Sequence, residues 1–259
     1  MFYFKKSLGQ NFLIDKNIVK KIINLTKVEN QNILEIGAGK GALTVEILKK
    51  KPKSLIIIEK DFNLAKELKE KYKNYKKVKI INMDILKLDI EKKIKKNTII
   101  FGNLPYNISS QILIKFIKFN NWPPLYTNII FMFQKELGEK ITSNFPSTKY
   151  GRISIIRNYR LKILRKFLVS PNCFFPKPKV NSMVIHFKPS IKYLLKIRNL
   201  ENLEKITNLI FSSKRKMINK SLKKILTEDM IPKNWSLKKR PSDISPEIFY
   251  EITSLYENK

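Results

Sequence analysis

"NILEIGAGKGALTVEILKK", residues 32–50, decides how the rest of the chain is read. A short apolar run passes into a loop with glycines at 37, 39 and 41, then into a segment with helical spacing of apolar residues. Strand, glycine turn and helix in that order open a βαβ unit. The pattern continues downstream. "SLIIIEKD", "VKIINMD", "NTIIFGN", "NIIFMF", "ILRKFLV" and "SMVIHF" read as six more strands, and the helix after "SLIIIEKD" carries Phe62, Ala65 and Leu68 on one face. Asp15 is placed to cap a helix burying Ile18, Val19, Ile22 and Ile23, and Ser109 to cap one burying Ile112, Leu113, Phe116 and Ile117. Near-continuous apolar strands alternating with helices predict a parallel sheet covered on both faces. After "FKPS" (187–190) only helical periodicity remains. The expected fold is α/β, a seven-stranded Rossmann-like domain over residues 1–190 with a small helical domain over 191–259.

Composition bounds the function. No run approaches the roughly 18 uncharged apolar residues of a membrane span. "MFYFKKSLGQNFL" is basic but lacks the apolar segment of a signal peptide, so the chain is expected in the cytoplasm. One cysteine (Cys173) excludes an intramolecular disulfide, and with one histidine (His186) no metal site is expected. Lys and Arg number 53 against 21 Asp and Glu, a net charge of +32. Part of that excess fits an A-rich genome, since Ile and Asn are also abundant. The low acidic count points further, to a polyanionic partner whose neutralised phosphates release counterions. Charge alone does not choose RNA over DNA.

In open α/β sheets ligands bind at the carboxyl ends of the strands, at the topological switch. Gly37, Gly39 and Gly41 let backbone approach a ligand there. Glu59 ends the second strand, placed to accept from ribose hydroxyls, and Asp84 follows the third, where a carboxylate can meet an adenine amino group. A dinucleotide-binding unit shares the glycines and the acid at this spacing. "GNLPY" (102–106), at the end of the fourth strand, separates S-adenosylmethionine from a nicotinamide cofactor.

An exocyclic adenine amine is a poor nucleophile because its lone pair is delocalised into the ring. The Asn103 side-chain oxygen and the Leu104 carbonyl can accept from its two N–H groups, favour pyramidal nitrogen and aim the lone pair. Pro105 lacks an N–H and stiffens the turn. Tyr106 offers a face for the base, worth roughly 1–3 kcal/mol per stacked base. Such a site works by positioning and preorganised acceptors and needs neither metal nor histidine base.

At these residues the chain resembles the ribosomal RNA adenine N6,N6-dimethyltransferases of the KsgA type. The likeness runs through "SLGQNFL" (7–13), "LEIGAGKGALT" (34–44), "IEKD" (58–61), "NMDIL" (82–86), "GNLPYNIS" (102–109), "FMFQKELGEKI" (131–141), "YGRISI" (150–155), "FFPKPKVNSMV" (174–184) and "SSKRKMINKSL" (212–222). It implies a class I methyltransferase domain with a helical appendage. It also implies dimethylation of two adjacent adenosines in a hairpin loop near the 3′ end of small-subunit rRNA; an assembling 30S particle and a monomeric enzyme are the expectation, with naked RNA and other oligomeric states left open by the sequence. By the resemblance, Asn11 and Leu13 close over the methionine end of S-adenosylmethionine, and Gly37, Glu59, Asp84 and Asn103 match the remaining cofactor contacts. Phe174, by alignment of "PKV" at 178–180, rather than Phe175, matches the aromatic that stacks on the target adenine opposite Tyr106. Ala38 stands where proline is common and Met83 where glycine is common. Arg152, Lys214, Arg215 and Lys216 are candidate RNA contacts, suited to an unpaired loop whose adenine is splayed out.

Three rivals remain at this stage. One is the related large-subunit (23S) rRNA methyltransferase of the macrolide-resistance type, which "NLPYNIS" alone does not exclude. A second is a DNA amine methyltransferase, which needs a larger target-recognition domain. The third is a ribosome-assembly factor whose main work is binding.

Overall fold

The computed structural model describes residues 10–193, 197–233, 235–236 and 238–259, so Ser7–Gly9 of the "SLGQNFL" motif lie outside the described residues. In chain order the elements are β1 (Phe12–Leu13), α1 (Lys16–Ile23), β2 (Asn32–Ile36), α2 (Ala42–Lys49), β3 (Ser54–Glu59), α3 (Phe62–Lys71), β4 (Val78–Asn82) and β5 (Thr98–Asn103). There follow α4 (Ser109–Ile117), β6 (Tyr126–Gln134), α5 (Lys135–Thr142), α6 (Arg152–Arg160), β7 (Leu161–Val169), β8 (Phe174–Phe175) and β9 (Ser182–Pro189). The last helices are α7 (Leu200–Phe211), α8 (Asn219–Leu222) and α9 (Pro246–Glu257).

Seven strands form one sheet in the order β4-β3-β2-β5-β6-β9-β7. β2 pairs parallel with β3 on one side and with β5 on the other, which puts the topological switch between β2 and β5. The two strands finish level: Ile36, just before the glycine loop, pairs with Gly102, just before Asn103. Gly102 permits this ending, because a Cβ there would meet Leu104 Cδ2 at 2.6 Å and the Phe131 ring at 3.2 Å. The central strands are apolar because both faces are covered, whereas the edge strands β4 and β7 are largely exposed or half-buried. Leu34, Ile57 and Phe101 are fully buried, with α1 and α2 (Val19, Ile22, Ile23, Leu43, Ile47) packed into the same core as Leu55, Ile57 and Phe101.

The sheet is mixed rather than purely parallel, a correction to the reading from pattern alone. β9 runs antiparallel to β6, starting where Ser182 pairs with Gln134. Both strand directions give the same apolar run when both faces are buried, so direction leaves no trace in the pattern. The start of β9 thus lies at the carboxyl edge of the sheet, with β6 between it and β5. A second sheet of two short strands, β1 and β8, pairs Phe12 with Phe175 and Leu13 with Phe174. Two-residue strands have no periodicity to read.

Asp15 caps α1 as expected, its carboxylate accepting from Asn17 N at 2.8 Å and Ile18 N at 3.0 Å. Ser109 does not cap α4. The N-cap is Ile108, and the buried Ser109 hydroxyl donates to the Tyr106 carbonyl at 3.0 Å. It ties the "GNLPY" turn to the helix that follows instead of satisfying the helix's own N–H groups.

The chain divides into two compact units. The first is Met1–Gly138 with Ile163–Pro189; the second is Glu139–Lys162 with Ser190–Lys259. The break after 189 falls beside the expected boundary, and the second unit also takes in α6 and flanking residues. Within it Tyr159, Tyr193 and Tyr250 pack ring on ring, and Tyr250 donates its hydroxyl to the Ile155 carbonyl at 3.0 Å. Arg157 is buried and donates Nε–H to the Ile141 carbonyl at 3.0 Å, a cation at the C-terminal end of α5.

His186, in the middle of β9, is 3% exposed, and its Nε2 lies 2.7 Å from Asn128 Oδ1. An amide oxygen only accepts, so Nε2 carries the proton, and buried Nδ1 has no partner among the described residues. Burial, with the nearby Arg165 cation, pushes its pKa down to about 4. A base depressed in the folded state contributes stability above its unfolded pKa of about 6.5 and loses it as pH falls toward the folded value. Lowering the pH from 7 to 5 is therefore expected to cost about 2 kcal/mol through His186. Comparing urea midpoints at the two pH values, His186→Gln should lack that component; an equal pH dependence in both proteins would refute it.

Candidate active site

The carboxyl ends of β2, β3 and β5 open into a cleft bordered by Asn11, Leu13, Gly37, Glu59, Asp84, Asn103, Leu104, Pro105 and Tyr106. The six expected cofactor residues and the four residues of the catalytic turn, Asn103 counting in both, are thus brought to one place from five separated stretches of sequence.

The glycine loop is held by the acid expected to bind ribose. Gly37 and Gly39 have φ of +68° and +56°, the left-handed region. Gly39 N donates to Glu59 Oε2 at 3.0 Å, while Glu59 Oε1 accepts from Asp61 N at 2.9 Å. Burial pushes the Glu59 pKa up, and these N–H bonds pull it partly back. Each oxygen retains a second lone pair, so Glu59 can brace the loop and still accept from a diol. Asp84 Oδ1 accepts from Leu86 N at 2.9 Å, and Oδ2 pairs with Lys60 at 2.9 Å. Burial works against its charge, but Lys60, the Leu86 N–H and Lys87 outweigh it and hold the carboxyl below its usual range.

β1 forms the roof. Its neighbour Asn11 gives its backbone carbonyl to Asn103 Nδ2 at 3.0 Å. With the NH₂ end so engaged, Oδ1 is the end of the carboxamide left to accept, and it has no partner among the described residues. Tyr106 is anchored at its far end, its hydroxyl 2.6 Å from Ser182 Oγ at the start of β9. The ring borders the cleft while the hydroxyl is fixed.

Phe174 is placed differently from its expected role. It is 3% exposed, opposes Leu13, sits in the hydrophobic core with Val169 and Val184, and does not border the cleft. The exposed ring at this turn is Phe175, at 54%. Alternation along β8 sends one ring inward and the next outward, so Phe174 offers no free face in this conformation. Arg152, Lys214, Arg215 and Lys216 are all exposed and lie in the second compact unit.

Phe12, Lys40, Lys60 and Glu35 also border the cleft and have no role in the reading from sequence. Phe12 closes over the loop, so that a Cβ on Gly39 would lie 2.8 Å from its ring, and Lys40 Nζ sits 5.5 Å from the ring centroid. Lys60 pairs with Asp84. Glu35 is fully buried in β2, its Oε2 accepting from Thr44 Oγ1 at 2.7 Å and its Oε1 lacking a partner among the described residues. Burial pushes its pKa up to about 7. The signal for Glu35 was an acid interrupting the apolar run "ILEI". Departures Ala38 and Met83 both border the cleft, Met83 being exposed.

These groups suit S-adenosylmethionine. The glycine loop leaves space where side chains would intrude, a Cβ on Gly37 lying 3.7 Å from the Asn103 carbonyl. Glu59 and Asp84 keep carboxylate lone pairs beyond those engaged within the chain, and the Asn103 carboxamide oxygen is a further acceptor.

The ribosomal RNA adenine dimethylase family model matches residues 1–253. Ribosomal RNA small subunit methyltransferase A of Pelagibacter ubique (strain HTCC1062) is 40% identical over 260 residues, 98% of this chain and 97% of that protein. The protein of the same name from Malacoplasma penetrans (strain HF-2) is 36% identical over 259 residues, 97% and 91% of the two chains. Among solved structures, a dimethyladenosine transferase from Plasmodium falciparum superposes with TM-score 0.76 at 26% identity, covering 93% of this chain and 95% of that one. The 23S rRNA methyltransferase ErmE has TM-score 0.67 at 22% identity, covering 93% and 99%, a likeness of fold.

Gly39→Ala combines a left-handed backbone with a clash on Phe12 and should displace the roof. A loss of about tenfold or more in S-adenosylmethionine affinity is expected, equivalent to roughly 1.4 kcal/mol. Calorimetric titration checks it, and unchanged affinity would show that the loop tolerates a side chain.

Proposed function

The chain belongs to the ribosomal RNA adenine dimethylase family, and on that premise we propose that it dimethylates N6 of two adjacent adenosines in a hairpin loop near the 3′ end of small-subunit (16S) rRNA, in ribosome biogenesis. S-adenosylmethionine is the cofactor, and when bound it supplies an electrophilic methyl group on a sulfonium centre. Asn11, Leu13, Gly37, Glu59 and Asp84 hold it, with Asn103 at the junction between cofactor and base.

The observation that carries this reading is the orientation of the Asn103 carboxamide. Its NH₂ is engaged by Asn11, so its oxygen is the preorganised acceptor at the end of β5. An adenine amine lying there gives one N–H to Asn103 Oδ1 and the other to the Leu104 carbonyl. As the nitrogen would take the methyl group, with the C–S bonding pair left on sulfur, it would become positive, both hydrogen bonds would strengthen in the transition state, and one N–H proton would then pass to solvent. Pro105 keeps a competing N–H out of the turn, and Ser109 ties Tyr106's carbonyl to α4. Tyr106, pinned through Ser182, keeps its ring against the base. Phe174 can join it only by leaving the core, so we assign it first to holding β8 against β1.

Small-subunit rRNA is the polyanion implied by the charge of +32. We take the substrate to be an assembling 30S particle, with Arg152, Lys214, Arg215 and Lys216 on RNA, and the enzyme to act as a monomer in the cytoplasm. Among the described residues no helix is long and apolar enough to cross a membrane, and no group of His, Cys, Asp and Glu could hold a metal. The large-subunit reading is supported only by likeness of fold at 22% identity, whereas relatives at 34–40% are named small-subunit enzymes.

Incubation with methyl-labelled S-adenosylmethionine and unmethylated subunits, followed by nucleoside analysis, tests the proposal. N6,N6-dimethyladenosine should appear in the small subunit, and Asn103→Ala should lower kcat by about 10²–10³, the scale for loss of one preorganised hydrogen-bonding group. Label in the large subunit would overturn the substrate. An Asn103→Ala protein that transfers methyl at the normal rate would overturn the mechanism.

A further inference from the structure

Two consecutive phenylalanines face opposite ways, and the outward one has no role in the site described so far. Phe175 opposes Phe12 across the β1–β8 pair, and Phe12 borders the cofactor cleft. The Phe175 ring is therefore the cross-strand neighbour of the cleft's roof, yet it is 54% exposed, and Ile14 at the end of β1 is 57% exposed. From Phe175 the chain passes through Lys177, Lys179 and Val180, all exposed, and reaches Ser182, whose hydroxyl holds Tyr106. The loop thus links the roof of the cleft to the anchor of its base-stacking ring. No Asp or Glu occurs anywhere between Glu139 and Glu201, so the loop carries cations without a carboxylate of its own. Asp15, beside Cys173, is engaged in capping α1.

A single exposed apolar side chain is ordinary. An exposed aromatic ring followed by exposed lysines, paired across two strands with a residue that borders a cleft taking a splayed-out base, has the chemistry of an unpaired nucleotide's receptor. The ring stacks on a base and the cations track its phosphates. We infer that Phe175, with Lys177 and Lys179, is a stacking platform for the unpaired nucleotide next to the target adenine, outside the catalytic clamp. It selects which base of a loop enters by holding that base's neighbour. This rests on the reading that the chain methylates unpaired rRNA adenines. Phe175 is a positioning residue, touching neither cofactor nor reacting amine.

The test uses the full chain and a small-subunit 3′ hairpin carrying 2-aminopurine on either side of the target, with wild type, Phe175→Ala and Phe175→Trp. Stacking should quench 2-aminopurine at one flanking position on the wild type, and Phe175→Ala should abolish that quench. Kd and KM for RNA should rise about tenfold in Phe175→Ala, within the roughly 1–3 kcal/mol of a stacked base. KM for S-adenosylmethionine should hold, and Phe175→Trp should restore RNA affinity. Replacing Lys177 or Lys179 by Ala should each reduce the salt slope of binding by about one. Equal RNA affinity and equal quenching in wild type and Phe175→Ala would overturn the platform. So would a loss shared equally by RNA and S-adenosylmethionine, which would mean that the β1–β8 pair had been disturbed. Quenching is read at equilibrium without methyl transfer, so a wild type that binds and quenches but does not methylate refutes the proposed function and supports the platform.

Discussion

Everything at the site depends on β2 and β5 lying side by side and finishing level. That parallel pairing sets Ile36 against Gly102 and so places the glycine loop beside Asn103, although the two are separated by more than sixty residues of chain. Without Gly102 the ending would collide with Leu104 and Phe131, and without the open glycine loop there would be no space beside the Asn103 carbonyl. The glycine-loop half and the Asn103 half of the cleft are two sides of one strand pair. A displacement of β5 would separate donor and acceptor even if every side chain were kept.

Polar groups around that pair do structural and chemical work together. Glu59 stabilises a left-handed glycine loop through Gly39 N and retains lone pairs for a ligand. Asn103 is oriented by a backbone carbonyl from Asn11, so the residue leading into β1 decides which end of the amide is left to accept. Glu35 is the exception. A carboxyl fully buried in β2 with one oxygen unpartnered among the described residues is costly when ionised, and burial accordingly pushes its pKa to about 7.

The aromatic residues show how far a linear motif reaches. "GNLPY" marks Tyr106 as a candidate face for a base, and the structure adds what holds its ring, a hydroxyl contact with Ser182 on a strand 76 residues away. "FFPKPKV" marks an aromatic position but not which ring is accessible. Two-residue strands settle that: opposition to Leu13 draws Phe174 into the core, and alternation leaves Phe175 outside.

Sequence alone determined the strands of the main sheet and most of the residues that line its cleft. Seven apolar runs became seven strands, Asp15 capped its helix, and of the residues expected at the cofactor and the amine all but Phe174 border one cleft. Local pattern suffices there because strand burial, capping and glycine turns are governed by near neighbours in the chain. Only the tertiary structure decided the direction of β9, the pairing of β1 with β8, the reversal of Ser109 from helix cap to turn anchor and the burial of Phe174. Each depends on which distant segment supplies a hydrogen-bond partner or a packing surface. An apolar run reads the same in either direction, and a hydroxyl takes whichever partner the fold brings within reach.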